Sequence, residues 1–326
     1  MIPAALRDAI ADELLRLQAF APGVKTSPED LLWRDADLAP PGALSPNRQC
    51  GLVEAADGWL AINLARAEDR ELLPAWLGAG PGEANWDAVE LLARRRGVRE
   101  LVEDAAFLGL PVAAVGEAQP SAPVSASNSP AIPTADLPTV LDLSALWAGP
   151  LGAGLLAEAG LAVTRVGSPT RPDPTPHSSP LLDRRINGGK RRIALRFDDP
   201  TLADLIDGAR VLVTSGRPHA LARLGLTPER VFARNPGLIW IAITAHGFHG
   251  AAAMRVGFGD DCAAAGGLVV WHDGRPRFIG DALADPLTGL RAARLALEHL
   301  ASGRSGLIDV ALAATAADFA ARSGLR

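Results

Sequence analysis

The 326-residue sequence has only two cysteines, Cys50 and Cys262. They lie far apart in the chain and share no metal or redox spacing, so a disulfide framework is excluded and no metal site is expected. No run of 18 apolar residues occurs, so no segment reads as a membrane-spanning helix. The N-terminus carries Asp8, Asp12 and Glu13 among its apolar residues. It reads as an amphipathic helix with Leu6, Ile10, Leu14 and Leu17 on one face, and not as a secretion signal. A soluble, cytoplasmic protein is the expectation. A strong charge imbalance is lacking too. Residues 137–326 hold 21 Lys+Arg against 17 Asp+Glu, a net of +4, which leaves 11 against 20 for residues 1–136. The second part is the better host for an anionic ligand, but +4 is too weak for nucleic acid.

What is present is an apolar fraction of 48%, enough for a sizeable core and, at this length, for two domains. Residues 1–118 read as a small α+β domain. Its first helix is followed by a proline-broken stretch over 21–48. A hairpin comes next, turning at Asp57 and Gly58, then helices near 67–76, 85–95 and 98–108 and a short strand over 110–115. Residues 119–138 hold prolines and serines but no aromatic residue, and read as a linker. From residue 139 to 326 short apolar strands alternate with helices; strands are expected at 140–144, 161–166, 192–196, 211–214 and 238–244. That alternation predicts an α/β fold with a doubly wound, Rossmann-like parallel sheet, whose ligands bind beyond the carboxyl ends of the strands.

Within this frame the dinucleotide fingerprint is missing. Gly149, Gly152 and Gly154 do not give G-x-G-x-x-G after the first strand, and the second strand ends in Gly167 rather than an acid, which argues against a dehydrogenase. Residues 187–192 (Asn-Gly-Gly-Lys-Arg-Arg) offer two flexible glycines and the point charge of Lys190, fit either for a phosphate or for a solvated turn. His246 and His249 have no acid at metal spacing and read as loop residues. Asp260 and Asp261 are a candidate metal-binding pair, but read better as a helix start or a solvated loop. The stretch 280–289 (Gly-Asp-Ala-Leu-Ala-Asp-Pro-Leu-Thr-Gly) places Asp285 where a loop feeds a helix with Leu290, Ala293, Leu297 and Leu300 on one face. A carboxylate there is either a nucleophile towards an acyl group or an N-cap ahead of Pro286.

Six pieces of the second part, taken in order, resemble the class III CoA-transferase family, the CaiB/BaiF type. They are residues 140–150 (Val-Leu-Asp-Leu-Ser-Ala-Leu-Trp-Ala-Gly-Pro), 187–193, 209–225 with Arg217-Pro218 and Leu224-Gly225, 235–239 (Asn-Pro-Gly-Leu-Ile), 282–289 and 302–312. Residues 51–118 resemble the family's smaller domain, which normally follows the sheet and here precedes it. The family's glycine-rich loop has no counterpart.

The resemblance implies an enzyme that moves CoA from an acyl-CoA donor to a carboxylic acid acceptor, with Asp285 as nucleophile and aspartyl anhydride and thioester intermediates. It implies CoA contacts at Trp147, Ala148, Arg171, Lys190, Ser215, Gly216, Arg223 and Arg255. It implies CoA and acyl-CoA as substrates, no permanently bound cofactor or metal, no nucleic-acid or membrane partner, and a homodimer. An α-methylacyl-CoA racemase shares the aspartate, but residues 256–261 lack the histidine that such chemistry uses. A non-catalytic CoA-binding subunit is the other alternative.

Overall fold

The computed structural model describes residues 2–34, 37–78, 85–121, 124–128 and 138–325. Its strands are β1 (Cys50–Ala55), β2 (Gly58–Asn63), β3 (Val112–Ala114), β4 (Val124–Asn128), β5 (Thr139–Asp142), β6 (Ala162–Gly167), β7 (Arg191–Ala194), β8 (Val211–Thr214), β9 (Ile239–Thr244), β10 (Val269–His272), β11 (Arg275–Phe278) and β12 (Ser305–Ala311). Seven of them form one sheet in the order β4-β12-β9-β8-β5-β6-β7. All its pairs are parallel except β4 with β12. β8 and β9 are buried along their whole length, as continuous apolar runs covered by helices on both faces must be.

The chain lays down β5, β6 and β7 outward in one direction, then returns to place β8, β9 and β12 on the other side of β5. This is the doubly wound order, and it opens a crevice beyond the carboxyl ends of β5 and β8. The turns after those two strands are joined there, because the Ala145 N–H donates to Ser215 Oγ at 2.9 Å.

The hairpin read from Asp57 and Gly58 is β1–β2, antiparallel, with β3 added to it. This smaller sheet has its own core, including Val53, Leu60, Ile62, Trp76 and Leu101. The first helix, Ala4–Gln18, was expected to belong with it. Instead Leu6, Ile10, Leu14 and Leu17 share the core of the seven-stranded sheet and its helices. The buried Glu13 fixes the docking, accepting from Arg294 Nε at 2.7 Å and Arg322 Nη1 at 3.1 Å. In the stretch read as a linker, Val124–Asn128 is a strand paired with β12; residues 122–123 and 129–137 lie outside the described residues.

Candidate active site

Asp285 lies in the first turn of the longest helix among the described residues, Ala284–Ser302. The N-cap position is Leu283, and no side chain caps this helix end, so Asp285 is not the cap that one reading of the sequence made it. Its own N–H donates to Ala282 O at 2.9 Å, and Ala282 takes a φ of 45°, a left-handed turn that sets the direction of entry. Further along, the helix crosses Ala148–Glu158 at glycines. A Cβ at Gly289 would lie 2.6 Å from Ala148 O, and one at Gly152 would lie 3.0 Å from Gly289 O. Glycine at both positions lets the backbones touch, which draws the start of the aspartate helix towards the turn after β5.

Around Asp285 stand three more acids and one cation. A Cβ on Gly259 would fall 2.2 Å from Asp285 Oδ2, so the carboxylate rests directly on that backbone. Asp260 Oδ1 accepts from the Ala282 N–H at 2.6 Å and its Oδ2 from Asn47 Nδ2 at 3.2 Å. Asp261 Oδ1 accepts from the Phe258 N–H at 2.9 Å and from Asn63 Nδ2 at 3.1 Å. Arg34 donates from Nε to Asp281 Oδ2 at 2.9 Å and from Nη2 to the Asp281 carbonyl. Its guanidinium stacks 3.4 Å above the Trp147 ring. One arginine thus ties the turn after β5 to the loop that delivers Asp285.

The crowding changes the acidity of these groups. Burial, with the neighbouring Asp260 charge, pushes Asp285 up to about 8, against the opposing pull of Arg34. Burial and Asp281 push Asp260 up to about 7, and burial does the same to Asp261. Near neutral pH the group therefore holds protons among its carboxyls, and each negative charge in it makes the next harder to form. A half-buried carboxyl poised near neutrality suits attack on an acyl carbon.

The other residues expected to hold CoA separate into two sets. Trp147, Ala148, Ser215 and Gly216 flank the crevice between β5 and β8, with Trp147 under Arg34. Arg171 and Arg223 are exposed and act on a common neighbour, Arg217. Burial holds the Arg217 guanidinium below its ordinary value, and the positive charges of Arg66, Arg171 and Arg223 push the same way. Like charges gathered at the edge of a crevice mark a place for an anion.

Lys190 and Arg255 fall outside this arrangement. Lys190 is buried, and Nζ donates to Asp142 Oδ2 at 2.8 Å, Pro150 O at 2.6 Å and Asn187 Oδ1 at 2.8 Å. All three of its protons are occupied, so it offers nothing to a phosphate in this conformation. Burial opposes a charge on Asp142, yet Lys190 and Arg165 hold its carboxyl below the ordinary value. The lysine therefore serves the β5 turn, where Asp142 also accepts from Ser144. Arg255 pairs with Glu117 and donates to Val112 O at 3.1 Å, tying its loop to the smaller sheet.

Sequence reasoning missed Arg34, Arg66 and Asp260 as members of the site. Arg217 stood in a quoted Arg-Pro motif, but nothing in the run itself shows that it meets Arg66. Arg34 and Asp281 are 247 residues apart, and no spacing argument links them.

Residues 138–325 match CoA-transferase family III. Among curated proteins, the chain is 29% identical over 189 residues to a probable fatty acyl-CoA transferase from Mycobacterium tuberculosis, a match covering 52% of this chain and 48% of that one. It is 30% identical over 208 residues to succinyl-CoA–D-citramalate CoA-transferase from Chloroflexus aurantiacus, covering 57% and 50%. The chain thus spans about half the length of these curated relatives. A crystal structure of a hypothetical M. tuberculosis protein superposes with a TM-score of 0.53 at 28% identity, covering 60% of this chain and 59% of the other. A CaiB/BaiF family protein from Brucella suis gives 0.50 at 28% identity, covering 57% and 55%.

Proposed function

Because the chain belongs to CoA-transferase family III, we propose that it moves CoA from an acyl-CoA to a carboxylic acid, with Asp285 as the nucleophile. The observation that carries this reading is the placement of Asp285. It sits half-buried at the start of a helix, beside the turn after β5, with Arg34 opposing the rise in its acidity constant. An Asp285 carboxylate oxygen adds to the thioester carbonyl, and the carbon–sulfur bond breaks to release CoA thiolate and leave an acyl–aspartyl anhydride. The thiolate then adds to the Asp285 carbonyl carbon and expels the donor acid, giving an aspartyl-CoA thioester. The acceptor carboxylate attacks that thioester, thiolate leaves again, and its return to the acceptor's acyl carbon yields the new acyl-CoA and free Asp285.

This chain's residues divide the work. Asp260 accepts from the Ala282 N–H with Oδ1 and so fixes the loop that delivers Asp285. Trp147, Ala148, Ser215 and Gly216 form the crevice for the pantetheine arm. Arg171, Arg217 and Arg223 face the phosphates, where charge-assisted hydrogen bonds are the strong ones. Lys190 supports the first turn from behind.

Incubation with a panel of acyl-CoAs, followed by intact-mass analysis, tests the reading. A CoA adduct that maps to Asp285 supports it; its absence with every acyl-CoA, despite CoA binding, rejects it. A second reading rests on the pairing of Asp260 with Asp285. Two acids at one acyl site could exchange the α-proton of a bound acyl-CoA. Deuterium uptake at that carbon from heavy water, without acyl exchange, would favour it.

A further inference from the structure

Behind the acidic cluster lies a set of groups that the transfer chemistry does not use. His246 follows β9, and its Nε2 is shielded from solvent with no hydrogen-bond partner. One ring nitrogen of His246, one carboxylate oxygen of Asp261 and Cys262 Sγ all lie within 4.8 Å of one another. Asp261 and Cys262 are fully buried, on the helix Gly259–Ala265. A shielded ring nitrogen without a hydrogen-bond partner, on a histidine beside a thiol and a carboxylate, calls for a partner.

We propose that His246, Asp261 and Cys262 form a binding site for a zinc-like divalent ion. The donor set is one nitrogen, one sulfur and one oxygen, which suits Zn²⁺ or Co²⁺ and not the oxygen-seeking Mg²⁺ or Ca²⁺. Charge agrees: a thiolate, a carboxylate and a neutral imidazole balance a dication, so the buried complex is neutral. Distances agree as well. Cys262 Sγ lies 3.9 Å from Asp261 Oδ2. Tetrahedral zinc with bonds of about 2.3 Å to sulfur and about 2.0 Å to oxygen holds that pair about 3.5 Å apart.

The surroundings are those of a metal site. Asp261 Oδ1 is held by the Phe258 N–H and Asn63 Nδ2, which orients the carboxylate and leaves Oδ2 towards the sulfur. Further charged or titratable groups stand near: Arg255 and Glu117, which pair with each other, Asp285, whose charge reaches Cys262, and Cys50, which feels Asp261 and Cys262. His246 also lines a cavity of about 270 Å³ with His249, Arg291, Asp309 and Thr315, so the set borders open space on the histidine's side.

The test uses the full chain, stripped of metal by a chelator and titrated with Co²⁺. One equivalent should bind, with a thiolate-to-cobalt charge-transfer band in the near ultraviolet and intense tetrahedral visible bands, and Zn²⁺ should displace it. Cys262→Ala should abolish the charge-transfer band, His246→Ala should weaken binding at least tenfold, and Cys50→Ala should change neither. Circular dichroism checks that each variant is folded. X-ray absorption of the wild-type zinc form adds a readout that needs no variant: one sulfur and two or three light atoms are expected around the ion. No cobalt spectrum in the wild type, a band that survives in Cys262→Ala, or a zinc shell without sulfur each overturns the assignment. None of these readouts depends on CoA transfer, so they stand or fall apart from the proposed activity.

Discussion

Asp285 Oδ2 occupies the space that a side chain on Gly259 would fill: a Cβ there would lie 2.2 Å from the oxygen and 2.6 Å from both Ala282 Cβ and Ala282 O. Glycine at 259 is thus part of the seat of the carboxylate. Gly259→Ala should push the Asp285 carboxylate aside and cost about 1–3 kcal/mol of stability from overpacking. The CoA adduct should form at least tenfold more slowly, while CoA still binds. Intact-mass time courses measure this; an adduct at the wild-type rate would show that the contact does not position the nucleophile.

The raised acidity constant of Asp285 sets a pH dependence. Transfer requires the ionised form, so its rate should rise with pH and level off above about 8. Stability runs the other way. The folded chain holds this proton more tightly than the unfolded chain, whose carboxyl titrates near 3.8, so the contribution is full below about 3.8 and is lost as pH rises to about 8. Asp285→Asn should abolish the adduct and, by removing one such group, flatten the fall of melting temperature with rising pH. A variant whose melting profile parallels the wild type across that window contradicts the buried-acid description.

Lys190 should matter to folding more than to CoA. Lys190→Ala leaves Asp142 buried with only Arg165, at 3.4 Å, as its remaining cationic partner, and should cost about 3–5 kcal/mol. The Asp142→Asn, Lys190→Met pair should recover much of that loss, because neither residue then carries an isolated charge. Denaturant melts check the coupling. Single and double variants of equal stability would reject it.

The arginine cluster should be where phosphate is felt. Replacing Arg217 by Ala should weaken CoA binding by about 1.5–3 kcal/mol if it makes one charge-assisted contact, and the double variant with Arg223→Ala should lose more. Calorimetry at low and high salt measures both. An affinity that ignores salt and both substitutions places the phosphates elsewhere.

Arg34 should couple the two halves of the site. Arg34→Met keeps some contact with Trp147 but leaves Asp281 without its guanidinium, and Asp285 loses the positive charge that opposes its rise. The pH at which transfer levels off should then move upward. An unchanged pH profile would mean that Arg34 does not act on Asp285.

The sequence made the sheet legible because β5, β6, β8 and β9 are short apolar runs of branched residues set between helical periods, and that signal is local. Asp285 was legible for a similar reason, since a loop, a proline and an apolar stripe follow one another there. Lys190 was misjudged because a run of charges does not show which one turns inward, and its main partner, Asp142, lies 48 residues away. The first helix was grouped with the wrong sheet because an apolar stripe announces burial but does not name what covers it. His246 read as a loop residue because Asp261 and Cys262 reach it through the fold and not through spacing.

The pairing of β4 with β12 has a bearing on solubility. A sheet ends in two strands with bare backbone groups, and such margins invite the same margin of another molecule to add on. Here the segment joining the two parts of the chain closes one margin by lying antiparallel along β12. The opposite margin, β7, is four residues long and begins with Arg191 and Arg192, both turned to water, whose charges repel a like neighbour. A chain cleaved near residues 124–128 that sheds this segment would leave the backbone groups along that side of β12 unpaired. Such a nick would expose a template for fibrous self-association while leaving every residue of the candidate site in place.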